Sequence, residues 1–384
     1  MKLYDVIVLS ANSALKLQNF KGEMPAGHNG PYNHKCTPVR NTAHWIITFL
    51  KAYEITKDQK FKDAAFKSCE YLMSQDARPY GYNFLSMLDS PHETNGLIGD
   101  AWVIEALSIA SKALNIKKYR DLAREVFFMH PFNSEQGVWH ILNTDGSIEE
   151  LVERYDPVNK LTIKIPETFN HILWFALSGL LLSEDCDTEI NTQLDIFFSK
   201  LPYFFESYKD GLISHNPYVK GKNQQLDLTV KHKEIAYHSF NLYAYALIKD
   251  MRPDLELFKM DKFIRTLYYI RTNDYFSGLL DTKNENNDKW TPPNLKKIGH
   301  NRYGFAYNVS GFEAAFVLLS FQDFFKDDPL FDIMSEVKRR TSEQIKHCFD
   351  FKTGLMRLNT EDEMTLAARI YEATRLPDFE LINF

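Results

Sequence analysis

The chain has 384 residues, 44% of them hydrophobic and 25% charged, enough to bury a large core and too apolar for a disordered chain. Its 45 Lys and Arg against 51 Asp and Glu leave a net charge of −6, which excludes the strongly basic balance of a nucleic-acid binder. No apolar run reaches the length of a membrane span.

In chain order, two kinds of helical periodicity alternate. Residues 4–18 form an amphipathic helix, whose acid at Asp5 and short apolar run do not read as a secretory signal, so a cytoplasmic location is expected. A helix apolar on most faces follows near Pro38, with Thr37-Pro38 as its start signal, and then an amphipathic one over 58–74 with Asp58 as N-cap. The next pair begins near Gly96 and spans 117–128. Gly137 to Leu142 then reads as a short strand, with Asn143-Thr144-Asp145-Gly146 as its turn. Pro166-Glu167 opens another apolar helix, followed by an amphipathic one over 189–206. Glu234 and Phe305 open two more, separated by 255–271 and followed by 328–348. The last begins near Glu361, with Thr360 and Glu363 as a candidate capping box.

Helices apolar all round belong inside, and one-sided helices outside. Six inner and six outer helices in alternation predict an all-α protein, an (α/α)6 toroid closed as one domain over 1–384. Inner-to-outer links are short and outer-to-inner links long. One end of the ring therefore collects the long loops and the first turns of the inner helices, where function is expected.

The polar residues support that end. Eleven of the 12 histidines, and Trp45, Trp102, Trp139, Trp174 and Trp290, fall in the long links or the first turns of inner helices. Aromatic faces beside amides and charges suit a sugar. Inner-helix N-termini favour a carboxylate, so a uronate-containing oligo- or polysaccharide is the expected substrate, with Arg40, Arg302 and Arg369 as partners for its acid group. Arg40, Asn41, His44 and Trp45 open the first inner helix, and Asn95, Asp100 and Trp102 the second. Glu167, Asn170, His171 and Trp174 open the third, Tyr237 and His238 the fourth, Tyr303 and Tyr307 the fifth. Asp100, set among apolar neighbours, is a candidate general acid; Tyr237, His238, Tyr303 and Tyr307 are candidates for proton transfer. No Gly-rich phosphate loop, dinucleotide fingerprint or HExxH is present, so no cofactor is expected, and no spacing demands a metal. Cys36, Cys69, Cys186 and Cys348 form no CxxC and read as ordinary thiols.

The strings Asn95-Gly96-Leu97-Ile98-Gly99-Asp100-Ala101-Trp102 and Ala236-Tyr237-His238-Ser239-Phe240 resemble inner-helix openings of the six-hairpin glycosidase-like superfamily. That superfamily includes unsaturated glucuronyl hydrolases, N-acylglucosamine 2-epimerases and the toroid domains of polyuronate lyases and uronyl epimerases. Two enzymatic readings follow from the resemblance. Hydrolysis, placed first, makes Asp100 the acid that protonates a sugar double bond, with Asp89 or Asp156 as partner. Lyase or C5-epimerase chemistry is the alternative: Asn170-His171-Ile172-Leu173-Trp174 is similar to the Asn-His…Trp signature of toroid alginate lyases, with Leu173 where those enzymes often carry Tyr. Asn170 and His171 would then neutralise the acid group and act as base, with Tyr237 or Tyr307 as acid. A glycan-binding helical scaffold without catalysis is the reading from another class.

Overall fold

The computed structural model describes residues 1–90, 93–156, 161–166, 168–184, 186–214, 231–282, 298–328 and 330–382. In chain order the elements are α1 (Leu3–Ala14), α2 (Val39–Thr56), α3 (Gln59–Leu72), α4 (Gly96–Leu114), α5 (Lys117–Met129), β1 (Phe132–Asn133), β2 (Val138–Trp139), β3 (Val152–Asp156) and β4 (Leu161–Ile165). They continue with α6 (Phe169–Ser183), α7 (Thr188–Phe204), α8 (Lys231–Met251), α9 (Asp261–Tyr269), α10 (Asn273–Leu280), α11 (Ser310–Ser320), α12 (Ile333–Cys348), β5 (Phe349–Asp350), β6 (Leu355–Met356) and α13 (Glu363–Ala368).

The architecture is an (α/α)6 toroid. Helices α2, α4, α6, α8, α11 and α13, the last continued as a 3-10 turn over Arg369–Arg375, form the inner ring. Each packs on the next, and the 369–375 turn returns to α2. Burial explains the sorting. In α4 every residue from Leu97 to Ser108 is buried. In α5 only Tyr119, Leu122, Ala123, Val126 and Phe127 are, at the three-and-four spacing of one helix face. The two ends of the chain pair as they close the ring: Leu3 N–H donates to Phe379 O at 3.0 Å, and Leu381 N–H to Met1 O at 3.0 Å.

The short links turn tightly. Lys57 and Asn115 adopt the left-handed conformation that stops α2 and α4. Asp58 then caps α3 by accepting from Lys60 N–H at 3.2 Å, as its position predicts. The described parts of the long links gather at the opposite end, around the N-termini of the inner helices.

Several local expectations shift. The strand expected over 137–142 shrinks to β2, paired antiparallel with β1, although the 143–146 turn forms, with Asn143 N–H donating to Ser147 O at 2.8 Å. The β3–β4 hairpin and α10 lie in long links and carried no sequence expectation. At the last inner helix the cap is Asp362, which accepts from Thr365 N–H at 3.1 Å, not Thr360, whose hydroxyl donates to Ala306 O. A five-residue π-turn, Gly304–Asn308, leads into α11 and ends at Val309 with φ 44° and ψ 44°. A β-branched residue there is strained, and such strain collects at functional sites. No helix among the described residues is long and apolar enough to cross a membrane.

Candidate active site

On the axis of the ring, at the long-loop end, lies a cavity of about 220 Å³. Helix phase decides which side chains reach it. From α4 come Asn95, at its N-cap, Ile98 and Trp102; from α8 come Lys233, Tyr237 and Phe240. Both sets follow the three-and-four spacing of one face. Thr168, Asn170 and His171 enter from the start of α6, Tyr307 and Asn308 from the π-turn, and Arg369 from the turn after α13. Asn29, Tyr32 and His34 close the wall from the first long link.

The hydroxyls are organised. Tyr32 and Tyr237 share a hydrogen bond of 2.7 Å between their phenol oxygens. Burial raises the pKa of both, so they are neutral phenols able to donate a proton. Tyr307 donates to Asn29 Oδ1 at 2.7 Å, and the same oxygen accepts from Arg40 Nη1 at 2.6 Å. The Lys233 ammonium faces the rings of Tyr32, Tyr237 and Tyr303 at 5.1, 5.6 and 5.7 Å.

His171 supplies the complementary group. Burial lowers its pKa to about 4, so it is a neutral base at neutral pH. Gly96 makes room for it: with φ +60°, a Cβ there would stand 3.1 Å from His171 Nδ1.

Beneath the cavity Arg369 is ion-paired with Glu313 at 2.9 Å and Glu372 at 2.6 Å. Polar atoms on the wall lack partners among the described residues: Trp102 Nε1, Asn308 Nδ2 and Arg369 Nε as donors, Asn170 Oδ1 as acceptor. Burying such a group unpaired costs roughly 1–3 kcal/mol, which a polar ligand would offset. A small alcove opens beside the cavity, with room for about one oxygen atom (about 10 Å³). Arg40 lines it, 6% exposed, with Nε and Nη2 unpartnered among the described residues and its guanidinium 4.4 Å from the Trp102 ring centroid.

Of the residues singled out in the sequence, Asn95, Trp102, Asn170, His171, Tyr237, Tyr307 and Arg369 come together on the cavity wall, with Arg40 in the alcove. Others point elsewhere. Asp100 does not line the cavity; it is buried against α5, its Oδ2 3.0 Å from His130 Nε2. His238 is turned outward: its Nδ1 accepts from Ile213 N–H at 3.2 Å and its Nε2 bonds Thr266 O at 3.0 Å. His44 is buried deeper on the axis, stacked on Tyr371 at 4.2 Å. Asn41 donates to Pro25 O, and Trp45 packs on Phe49 in the core. Trp174 stacks on Phe240 and supports it from behind. Arg302 is held by Glu361 at 2.8 Å, and Tyr303 packs behind Tyr32. Asp89 bonds His34 at 3.3 Å and is partly exposed. Glu167, His92, His215, Trp290 and the side chain of Asp156 lie outside the described residues.

Asn29, Tyr32, Lys233 and Asn308 were not singled out in the sequence. The phase of α8 could have given Lys233, one turn before Tyr237. Asn29 and Tyr32 sit in a loop without periodicity.

No family model matches the chain. It is 33% identical to the archaeal glycosylation protein Q of Haloferax volcanii over 99% of this chain and 98% of that protein. Among solved structures, the cellobiose 2-epimerase of Bacillus thermoamylovorans superposes with a TM-score of 0.62 at 12% identity, covering 94% of each chain. The α-1,6-mannanase of Salegentibacter sp. HEL1_6 superposes with a TM-score of 0.55 at 15% identity, covering 97% of this chain and 98% of that one. A variant of that mannanase with two consecutive aspartates replaced by alanine is inactive and was captured with α-1,6-mannotetrose. The shared fold is that of the six-hairpin glycosidase-like toroids.

Proposed function

The chain belongs to the family of archaeal glycosylation protein Q, and on that premise we propose that it is a carbohydrate-active enzyme that moves a proton on one sugar ring: an epimerase or isomerase acting on a uronate. The observation that carries this reading is the composition of the cavity wall. A neutral imidazole, neutral phenols and cations meet there, and no carboxylate is among the described lining residues.

Hydrolysis by two carboxylates needs both beside the scissile bond. The mannanase depends on two consecutive aspartates. This chain has one such pair, Asp327-Asp328, and Asp328 is engaged by Arg271 at 2.6 Å in the short link between α11 and α12, away from the cavity. Hydrolysis, first in the sequence reading, therefore yields to proton transfer.

The step proceeds as follows. One oxygen of the sugar's acid group enters the alcove against Arg40, whose Nε and Nη2 have no partner among the described residues. His171 removes the proton from the adjacent ring carbon. Charge developing on the acid group is held by Arg40 and by the donors Trp102 Nε1 and Asn308 Nδ2. Tyr237, bonded to Tyr32, returns a proton to the carbon from its own side, inverting the centre. At about 220 Å³ the cavity is smaller than the roughly 300–1,000 Å³ of drug-sized sites, which favours a single ring, terminal or free, over the middle of a chain.

The test is incubation of uronates and neutral hexoses in deuterated water, followed by proton NMR. Loss of one ring C–H signal from a uronate, without cleavage, is the expected result. A new reducing end without exchange would restore hydrolysis. Ultraviolet absorbance of an unsaturated uronyl product would mean elimination, which shares the His171 step. Binding with neither exchange nor cleavage would mean a glycan-binding scaffold.

A further inference from the structure

We propose that Glu313 and Glu372 share one proton beneath the cavity, and that this shared proton sets the charge Arg369 presents to an anionic ligand. The charge count within the cluster favours it. Arg369 and Arg375 face Glu105, Glu313 and Glu372 in one cluster, with side chains between 0% and 15% exposed. Fully ionised, the cluster would hold one uncompensated negative charge in the protein interior, a state that proteins avoid by protonating a group.

The geometry says where the proton sits. Both carboxyls converge on Arg369 Nη2, at 2.9 and 2.6 Å, and neither oxygen of Glu372 has a hydrogen-bond donor among the described residues. Two buried carboxyls crowded on one cation do not both ionise readily, so the pair keeps a proton. Ser239 Oγ occupies the far oxygen of Glu313 at 2.7 Å. Arg375 is paired with Glu105 and donates to the Tyr243 phenol oxygen, and its charge also acts on Glu372. The other groups facing the cluster are the phenol of Tyr371, held neutral by burial, and His44, stacked on Tyr371 and also held neutral. Arg40 and Tyr307 lie beyond, on the alcove side. Burial pushes both glutamates upward, reinforced at Glu313 by the charge of Glu372 and at Glu372 by that of Glu105.

With one shared proton, Arg369, Glu313 and Glu372 sum to zero. Without it they carry one negative charge directly under the cavity wall. An anion in the cavity stabilises the protonated form, so it binds with proton uptake. Its affinity falls as pH rises through the titration of the pair, by at most about tenfold per pH unit. A neutral sugar lacks this dependence. The ligand half of this inference rests on the uronate reading above; the proton half does not.

Two measurements separate the halves. Infrared spectra of the ligand-free protein at neutral pH should show the C=O stretch of a buried protonated carboxylic acid. Either Glu313→Gln or Glu372→Gln should abolish it, because the remaining glutamate then balances Arg369 alone. A band absent from the wild type, or retained in both variants, overturns the shared proton. Calorimetry with D-glucuronate in two buffers of different ionisation enthalpy should show proton uptake in the wild type and none in Glu372→Gln. Uptake that persists in the variant belongs to another group and overturns the link to Arg369. Failure of glucuronate to bind while the infrared result holds overturns the uronate reading and the ligand half with it.

Discussion

His171 and Asp100 are both polar residues in the first turn or so of inner helices, and the structure gives them different work. His171 is on the cavity wall as a neutral base with its pKa near 4. His171→Ala should slow deuterium exchange by roughly 10²–10⁴-fold, the usual contribution of a general base, with little change in thermal midpoint. With the wild type saturated by substrate, the exchange rate should hold constant across neutral pH and fall only as pH drops through about 4, where the base becomes protonated. Asp100→Asn should do the reverse: exchange within a few-fold of wild type, and a stability loss of roughly 1–3 kcal/mol as the buried contact with His130 weakens. A collapse of activity in Asp100→Asn at unchanged stability would return the acid role to Asp100. The sequence held the information to separate them. Ile98 and Trp102 lie on one face of α4, and Asp100, about 200° round from Ile98, lies on the other. Being near the start of an inner helix was a correct signal; helix phase was the missing one. The same omission applies to His238, about 100° from Tyr237.

At the scale of elements, periodicity carries the helices well and the loops hardly at all. Among the described residues the six inner and six outer helices fall on or near their expected segments, the fifth inner one starting at Ser310 after the π-turn, because burial on all sides or on one leaves a readable pattern. The link over 28–34 leaves none, since what shapes it is remote: Asp362, more than 330 residues on, accepts from His28 N–H at 2.7 Å and Gly30 N–H at 2.9 Å. Gly30 has φ +58°, and a Cβ there would stand 2.2 Å from the Tyr307 ring. Gly30→Ala should therefore displace Tyr307 from Asn29 and cost exchange activity at least tenfold, beside a stability loss of about 1–2 kcal/mol for a left-handed alanine. Asp187→Ala is the contrasting case on an outer helix. Asp187 caps α7, accepting from Glu189 N–H at 3.2 Å and Ile190 N–H at 3.3 Å, and pairs with Arg124 at 2.6 Å. Its loss should lower stability by about 1–2 kcal/mol and leave exchange per folded molecule unchanged. Chemical denaturation beside the NMR assay distinguishes the two; equal effects on activity would show that the 28–34 link has no special hold on the site.

The whole molecule buries an uncommon set of neutral histidines, and this fixes how it responds to acid. Burial pushes His171 and His300 down to about 4, His238 to about 3, and His44 well below its ordinary value. In the unfolded chain each titrates near 6.5. Between about 6.5 and 4 the unfolded state therefore binds more protons than the folded one, and stability falls as pH falls. Glu105, Glu313 and Glu372, raised by burial, work in the opposite sense: they hold protons in the fold and lose stability as pH rises through their folded values. With His347 also lowered and Asp250 also raised, five histidines oppose four carboxyls that basic neighbours partly offset, so the histidines set the slope on the acid side. Thermal midpoints should drop steadily from about pH 6.5 to about pH 4.5, before ordinary carboxylates titrate in bulk. His238→Gln removes one of these titrations far from the cavity, where His238 bonds Ile213 and Thr266. Its midpoint at neutral pH should be lower, from one lost bond, and its decline into acid shallower than that of the wild type. A parallel decline in both proteins would mean that His238 stays neutral in the unfolded chain too, or is already protonated in the fold, and the acid response would have to come from other groups.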